Sequence, residues 1–211
     1  MDTPYGLIPA DKADISENPI AVFNNDKFVG TYKYFSRKNS EGDSALKAAY
    51  TKLIGGTYAT EGEGTVAIFL RDNVTAPQIF ENMGQIIGNV IIDLNGYTIT
   101  QTYQNNPLFY TQAKYYKKMG DATYDIKNGN LLITRTLFTM EASGTDYANN
   151  ATDTSFKTFT MNFHNVNIGY KQDAKTDAAN FLGYFGENLS NGKKVVYDIE
   201  FNECVFDLTY Y

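Results

Sequence analysis

The chain has 211 residues, of which 43% are hydrophobic and 20% are charged, so it can bury the core of one sizeable domain and is not intrinsically disordered. Its net charge is -6, whereas a nucleic-acid-binding protein needs a positively charged surface. No nucleic-acid partner is therefore expected. One cysteine and one histidine exclude intramolecular disulfides, multi-cysteine zinc sites and two-histidine metal sites. We therefore predict no metal and no cofactor.

The N-terminal residues carry no targeting pattern. Residues 1–14 lack the basic and apolar regions of a secretory signal, so either the protein is cytoplasmic or its signal is not present in this chain. No run approaches the roughly 18 apolar residues that cross a bilayer, so no membrane span is predicted in this chain.

Two strands and one helix are predicted within residues 1–60. The strands cover Ile20 to Phe23 and Phe28 to Phe35. The helix covers about 43–54, because Ser44 offers an N-cap and apolar residues recur at helical spacing from Leu46 onward. We interpret these elements as an N-terminal cap that is integral to a repetitive domain, since the open end of such a domain must be covered.

Residues 61–211 contain an internal repeat. Each copy has an alternating apolar run, a polar or small pair, and a second alternating run, as in segments 89–100, 124–134, 161–169 and 197–208. Alternation predicts β-strands, and a spacing of roughly 25 to 40 residues is typical of solenoids. The chain is therefore predicted to be all-β, a single domain in which parallel strands stack coil upon coil.

The repeat predicts columns of like side chains inside the coil. The alignment places Leu94 with Phe163 and Phe201, and Ile99 with Ile168 and Phe206. Tyr97, Val166 and Cys204 form another inward column, so Cys204 is interpreted as a small buried hydrophobe and not as a nucleophile.

Asparagines are expected at the bends between the two runs of each copy. They are Asn95, Asn128, Asn165 and Asn202, and asparagine tolerates left-handed backbone. His164 lies beside one of these bends and is interpreted as structural, because no partner for acid–base catalysis recurs in the neighbouring copies.

The segment VIIDLNGYTIT resembles a coil of the right-handed parallel β-helix proteins of the pectate-lyase-like superfamily. The arrangement of residues 6–100 is similar to β-helix domains of large surface or secreted proteins of Gram-positive gut bacteria. The resemblance implies a right-handed parallel β-helix with an N-terminal capping helix and strands. It also implies an extracellular or cell-surface location and an adhesin-like or structural role.

Catalytic motifs of that superfamily are missing. Polygalacturonase-like members carry NTD, DD, GHG and RIK-type motifs, and none occurs in this sequence. We therefore favour a non-catalytic module with a glycan or cell-wall polymer as its candidate ligand. The first alternative is a polysaccharide lyase or glycoside hydrolase with an unrecognised site.

One segment, Gln101 to Met119, is long for a β-helix turn and combines aromatic with basic residues in an acidic protein. Tyrosine rings can stack on sugar faces and lysines can pair with uronate or phosphate groups. The alternative is that its aromatics pack as part of a coil. The predicted ligand-binding residues are Tyr103, Tyr110, Lys114, Tyr115, Tyr116, Lys117 and Lys118.

The sequence stops at Tyr211, still within a strand pattern. An uncovered terminal coil would be an adhesive edge, so a second alternative is a structural subunit that self-associates by stacking coil ends.

Overall fold

The structure is a computed structural model in which the described part of the chain is mostly β. The described residues are 1–36, 44–54, 64–77, 79, 88–103, 107–112, 122–143, 157–171, 182–188 and 195–207. The helix α1 spans Ala45–Ile54. The strands are β1 Asp2–Thr3, β2 Gly6–Leu7, β3 Ile20–Asn24, β4 Lys27–Tyr32, β5 Thr65–Leu70, β6 Val74–Ala76, β7 Gly88–Asp93, β8 Thr98–Gln101, β9 Phe109–Gln112, β10 Ala122–Ile133, β11 Phe138–Ser143, β12 Lys157–Tyr170, β13 Gly183–Asn188, β14 Val195–Asn202 and β15 Val205–Asp207.

The structure has a helix and two strands where the sequence predicts them, but β4 ends at Tyr32, three residues before the predicted end at Phe35. β3 pairs antiparallel with β4 on one side and with β5 on the other. α1 contacts β3 and β5, and Leu46 and Ala49 belong to the main core together with Phe35. Ser44 caps the helix, because its Oγ accepts a hydrogen bond from the Lys47 backbone N–H at 3.2 Å. The predicted helix start at residue 43 and the glycines after residue 54 lie outside the described residues.

Three sets of strands pair in parallel. The first set contains β5, β7, the first half of β10, the first half of β12, and β14. The second contains β6, β8, the second halves of β10 and β12, and β15. β9, β11 and β13 form the third. Each of the four predicted repeats therefore supplies one strand, or half-strand, to each of the first two sets.

The register stacks like side chains in columns, as expected. Ile99, Leu131, Ile168 and Phe206 lie side by side, which confirms the predicted alignment of three of them. The prediction that Leu94 aligns with Phe163 is wrong, because Ile92 occupies that row. Ile99 follows Ile92 by seven positions, whereas Leu131 follows Ile126 by five, so the first bend holds two additional residues.

Left-handed backbone occurs at each bend. Asn95, Asn128 and Asn165 have φ of 50°, 61° and 53°, which confirms three of the four predicted positions. The fourth was wrong by one residue, because Asn202 pairs with His164 and Glu203 takes the left-handed conformation, with φ of 54°. Glutamate lacks the short side chain that lets asparagine adopt this conformation at low cost, so the last bend is the most strained of the four.

Gly129 accommodates the longer first bend. A Cβ at Gly129 would lie 2.5 Å from both the Leu94 Cβ and the Tyr97 backbone oxygen. Leu94 is fully buried and its backbone N–H donates to the Lys127 oxygen at 2.8 Å, so it has little room to withdraw. The absence of a side chain at Gly129 therefore lets β10 pack against the longer bend between β7 and β8.

A second, smaller apolar cluster lies on the outer side of the sheet. The N-terminal residues Tyr5 and Ile8 pack there on Phe23, Ala67 and Phe69. The Tyr5 hydroxyl donates a hydrogen bond to the Asp93 carboxylate at 2.7 Å, and Asp93 is only 4% exposed. A buried carboxylate needs such donors, so this contact holds the N-terminal segment against the sheet.

Arg71 provides another attachment for the N-terminal segment. Its guanidinium donates to the backbone oxygens of Lys12 and Ala13 at 3.1 Å each and to that of Asn18 at 2.6 Å. Arg71 is 2% exposed, and the pKa of the guanidinium is lowered by desolvation. The carbonyl oxygens compensate part of the cost of burying this charge.

Replacing Gly129 with alanine is expected to destabilise the protein by about 1–3 kcal/mol, because the new Cβ overlaps the Leu94 side chain and the Tyr97 backbone. Gly169→Ala is the matched control, since its Cβ would have neighbours only at 3.6 Å. We expect that variant to be neutral or more stable by up to about 1 kcal/mol. Urea denaturation measures both, and equal effects of the two substitutions would contradict this packing.

Tyr5→Phe is expected to lower the free energy of unfolding at neutral pH by about 1–3 kcal/mol, because buried Asp93 loses a donor. Burial, together with the Asp93 hydrogen bond and charge, raises the pKa of Tyr5 above its ordinary value. The folded state therefore retains a proton that the unfolded chain releases above about pH 10. The stability advantage of the wild type over Tyr5→Phe should shrink as the pH rises through that value.

Unfolding of the wild type and of Tyr5→Phe by denaturant at pH 7, 9 and 10.5 tests this linkage. Tyr97→Phe, at a partly buried tyrosine for which the described chain shows no side-chain hydrogen bond, is the control at neutral pH and should change stability little. A difference between wild type and Tyr5→Phe that is the same at all three pH values would show that the Tyr5 proton is not coupled to folding.

Candidate functional site

A row of hydrogen-bonded polar side chains crosses the outer surface of the second strand set. The Asn73 side-chain oxygen accepts from the Thr98 backbone N–H at 2.9 Å, and the Asn130 amide donates to the Thr98 hydroxyl at 3.4 Å. The Asn167 amide then donates to the Asn130 side-chain oxygen at 2.9 Å. We call these four residues the polar ladder. They lie on or directly beside β6, β8, β10 and β12, so the row crosses neighbouring parallel strands of the second set.

Strand periodicity explains why the polar ladder faces outward. Leu131 and Ile168 are fully buried, and their neighbours Asn130 and Asn167 point to the opposite side. The parallel register then places Asn130 directly beside Thr98 and beside Asn167. Neighbouring strands in a sheet are about 4.8 Å apart, within reach of short polar side chains.

A second polar row lies on the first strand set. The Asn162 amide donates to the Asp125 carboxylate at 2.8 Å. The next outward position along the same strands holds Lys127 beside His164, and both are half-buried. Both rows lie on the outward face of β10 and β12. The left-handed bend of each strand separates one row from the other.

The two rows can bind a polar ligand through hydrogen bonds. Fixed amides and a carboxylate present both donors and acceptors, and their mutual contacts hold them in place before any ligand arrives. Among the residues that the structure describes, no group of three or more His, Cys, Asp or Glu side chains is arranged to hold a metal ion. The chemistry of this surface is therefore hydrogen bonding by neutral and singly charged groups.

The predicted aromatic and basic site is only partly within the described chain. Tyr103 follows β8, is half-buried, and its backbone oxygen accepts from the Thr134 hydroxyl at 2.7 Å. Tyr110 lies in β9, where it pairs with Thr139 of β11. Five of the predicted residues lie outside the described residues, namely Lys114, Tyr115, Tyr116, Lys117 and Lys118. The structure thus describes two of the seven residues, Tyr103 after β8 and Tyr110 in β9, and the binding surface stays a prediction.

Part of that segment belongs to the core. Phe109 is fully buried, and its ring centroid lies 5.6 Å from that of Phe138 and 5.7 Å from that of Phe163. The segment therefore contributes strand β9 to the third parallel set and is not a loop throughout. Phe109 therefore packs in the core, and for this residue the structure favours packing over ligand binding.

The polar ladder was not identified in the sequence analysis, although a signal for it was present. Asn130 and Asn167 occupy equivalent outward positions of two predicted repeats, one residue before the buried Leu131 and Ile168. The alignment of repeats that predicts the inward columns also places these two asparagines side by side at an outward position.

Comparison with known proteins gives no assignment for this chain. No protein-family model matches it, and no curated protein or solved structure is detectably similar to it. Within the described residues, no helix is long and apolar enough to cross a membrane. Any function must therefore be argued from the geometry and chemistry of this chain itself.

Proposed function

We propose that the chain is a right-handed parallel β-solenoid that acts as a non-catalytic surface or secreted module and binds a glycan or cell-wall polymer. The recurring order of the strands supports the solenoid. β7, β8 and β9 contribute in turn to the first, second and third parallel sets, and the two halves of β10 followed by β11 do the same. The two halves of β12 followed by β13 repeat that order once more. A chain that winds in one direction produces this recurrence.

The observation that carries the binding proposal is the polar ladder. The side-chain amides of Asn130 on β10 and Asn167 on β12 are hydrogen-bonded to each other. Asn130 is half-buried and Asn167 is exposed. Sugar hydroxyls both donate and accept hydrogen bonds, as amides do. Repetition along the stack suits a polymer, because successive sugar units can meet successive side chains.

The surface or secreted location is part of this proposal. It is supported by the resemblance of residues 6–100 to β-helix domains of bacterial surface proteins. A rigid stack of coils is also a suitable spacer for presenting a binding surface away from a cell.

The enzyme alternative has one specific observation in its favour. Asp125 and Glu200 occupy the same outward row on either side of Asn162, two coils apart. Inverting glycosidases separate their two carboxyl groups by roughly 6.5–9.5 Å, and two strand spacings, about 9.6 Å, lie just above the upper limit of that range. Asp125 already accepts a hydrogen bond from the Asn162 amide at 2.8 Å, so one of its oxygens is engaged within the polar row.

Binding to an array of bacterial cell-wall and host glycans tests the proposal. Asn130→Ala combined with Asn167→Ala should weaken binding of any glycan bound by the wild type about tenfold. That loss equals about 1.4 kcal/mol, a reasonable value for two hydrogen-bonding side chains. The matched control is Asn89→Ala, an exposed outward asparagine away from the polar ladder, which should bind as the wild type does.

Tyr115→Ala combined with Tyr116→Ala distinguishes the two candidate surfaces. Loss of binding in this variant, with retention in the Asn130→Ala and Asn167→Ala variant, would move the site to the segment predicted from the sequence. Absence of any bound glycan at millimolar concentration contradicts the binding function. Release of reducing ends from polysaccharide, abolished by Asp125→Asn or Glu200→Gln, would instead establish the enzyme alternative.

A further inference from the structure

Apolar side chains flank the polar ladder on the same outer surface. Val205 of β15 is the register partner of Asn167 and is 56% exposed. Leu132 follows Asn130 by two positions on the same face of β10 and is half-buried. The amides of Asn130 and Asn167 are hydrogen-bonded to each other, and we call them the amide pair. The amide pair therefore has an apolar side chain on either side.

Leu132 extends across the sheet toward β12. It is the register partner of Gly169, and its Cδ2 atom lies 3.6 Å from the position that a Cβ of Gly169 would take. Gly169 follows Asn167 by two positions, on the same face of β12. A methyl group of Leu132 therefore lies next to the outward position that follows Asn167.

The hydrogen bonds of the amide pair run in one direction. The Asn167 amide N–H donates to the Asn130 side-chain oxygen at 2.9 Å, and the Asn130 amide N–H donates to the Thr98 hydroxyl at 3.4 Å. These bonds use one of the two N–H groups of each amide and leave the Asn167 side-chain oxygen as the acceptor at the end of the row. Because Asn167 is exposed, an N–H group of a ligand can reach that oxygen.

The charges of this surface favour a neutral ligand. Two outward rows cross β8, β10, β12 and β15; they are Thr98, Asn130, Asn167 and Val205, and Thr100, Leu132, Gly169 and Asp207. Neither row contains lysine or arginine, the side chains that recognise carboxylate and phosphate groups. The charged member is Asp207, which has the same sign as those groups and as the net charge of -6. A uronate or a phosphate is therefore a poor match for the amide pair.

We infer that the amide pair recognises sugar units that carry an N-acetyl group. The acetamido N–H donates to the Asn167 side-chain oxygen, and the acetamido carbonyl accepts from a remaining side-chain N–H of the row. The acetamido methyl group packs on Leu132, and the C–H groups of the sugar ring pack on Val205. A hydroxyl in place of the acetamido group would leave Leu132 without an apolar contact. This inference rests on the proposed glycan binding and names the class of sugar.

Two neutral hexasaccharides with the same β-1,4 linkage test the inference. One is built of N-acetylglucosamine and the other of glucose, so they differ only in the acetamido group. Isothermal titration calorimetry with the full chain measures the affinity of each. We expect the N-acetylated hexamer to bind at least about tenfold more tightly, because it adds a hydrogen bond and a methyl contact. Asn130→Ala combined with Asn167→Ala should remove most of that preference.

Leu132→Thr isolates the methyl contact. This variant should bind the N-acetylated hexamer about three- to fivefold more weakly and the glucose hexamer unchanged. Val205→Thr is the matched control on the same surface and should weaken both hexamers by the same factor, because both contain the sugar ring. Circular dichroism and thermal unfolding check that each variant is folded.

Equal affinity of the wild type for the two hexamers, or no binding of either, would overturn the inference. An undiminished preference in folded Leu132→Thr would also overturn it. If other glycans of the array bind while the two hexamers are not distinguished, only this inference fails. If no glycan of the array binds, the proposed function fails with it.

Discussion

The parallel register of β7, β10, β12 and β14 is the constraint on which the rest of the structure depends. It places equivalent residues of successive repeats side by side, so that one set of positions forms the apolar columns and the other set forms the polar rows. A slip of one residue would exchange the two faces and expose Phe163 while burying Asn162. Core and candidate site are therefore two results of the same pairing.

The bends keep that register from one strand set to the next. Left-handed asparagines turn the chain at Asn95, Asn128 and Asn165. Two of them also bond to neighbouring strands: the Asn95 amide donates to the Leu70 backbone oxygen at 3.1 Å, and the Asn128 amide donates to the Asp93 carboxylate at 3.3 Å. Departures from the pattern are compensated locally. The two additional residues of the first bend fit because Gly129 has no side chain.

Much of this architecture could be predicted because it is periodic. Alternation gave the strands, helical spacing gave α1, and the repeat gave the columns at Ile99, Ile168 and Phe206. The misplaced positions, Leu94 and Asn202, lie at bends, where the length of the turn decides the alignment and no alternating pattern constrains it. The contacts of Tyr5 with Asp93 and of Arg71 with the N-terminal backbone join residues far apart in sequence, and no local pattern indicates them. The polar ladder was readable in principle, since it follows the same period as the core.

Disulfide formation between introduced cysteines tests most directly whether the strands stack in one direction. In a Cys204→Ser background, Thr123→Cys with Thr160→Cys joins register partners in the first set, and Thr139→Cys with Tyr184→Cys joins partners in the third. Neighbouring strands bring Cα atoms within the roughly 4.4–6.8 Å that a disulfide spans. We expect both pairs to crosslink under mild oxidation, while the mismatched pair Thr123→Cys with Asn167→Cys does not. Crosslinking of the mismatched pair in preference to the matched ones would contradict the parallel register.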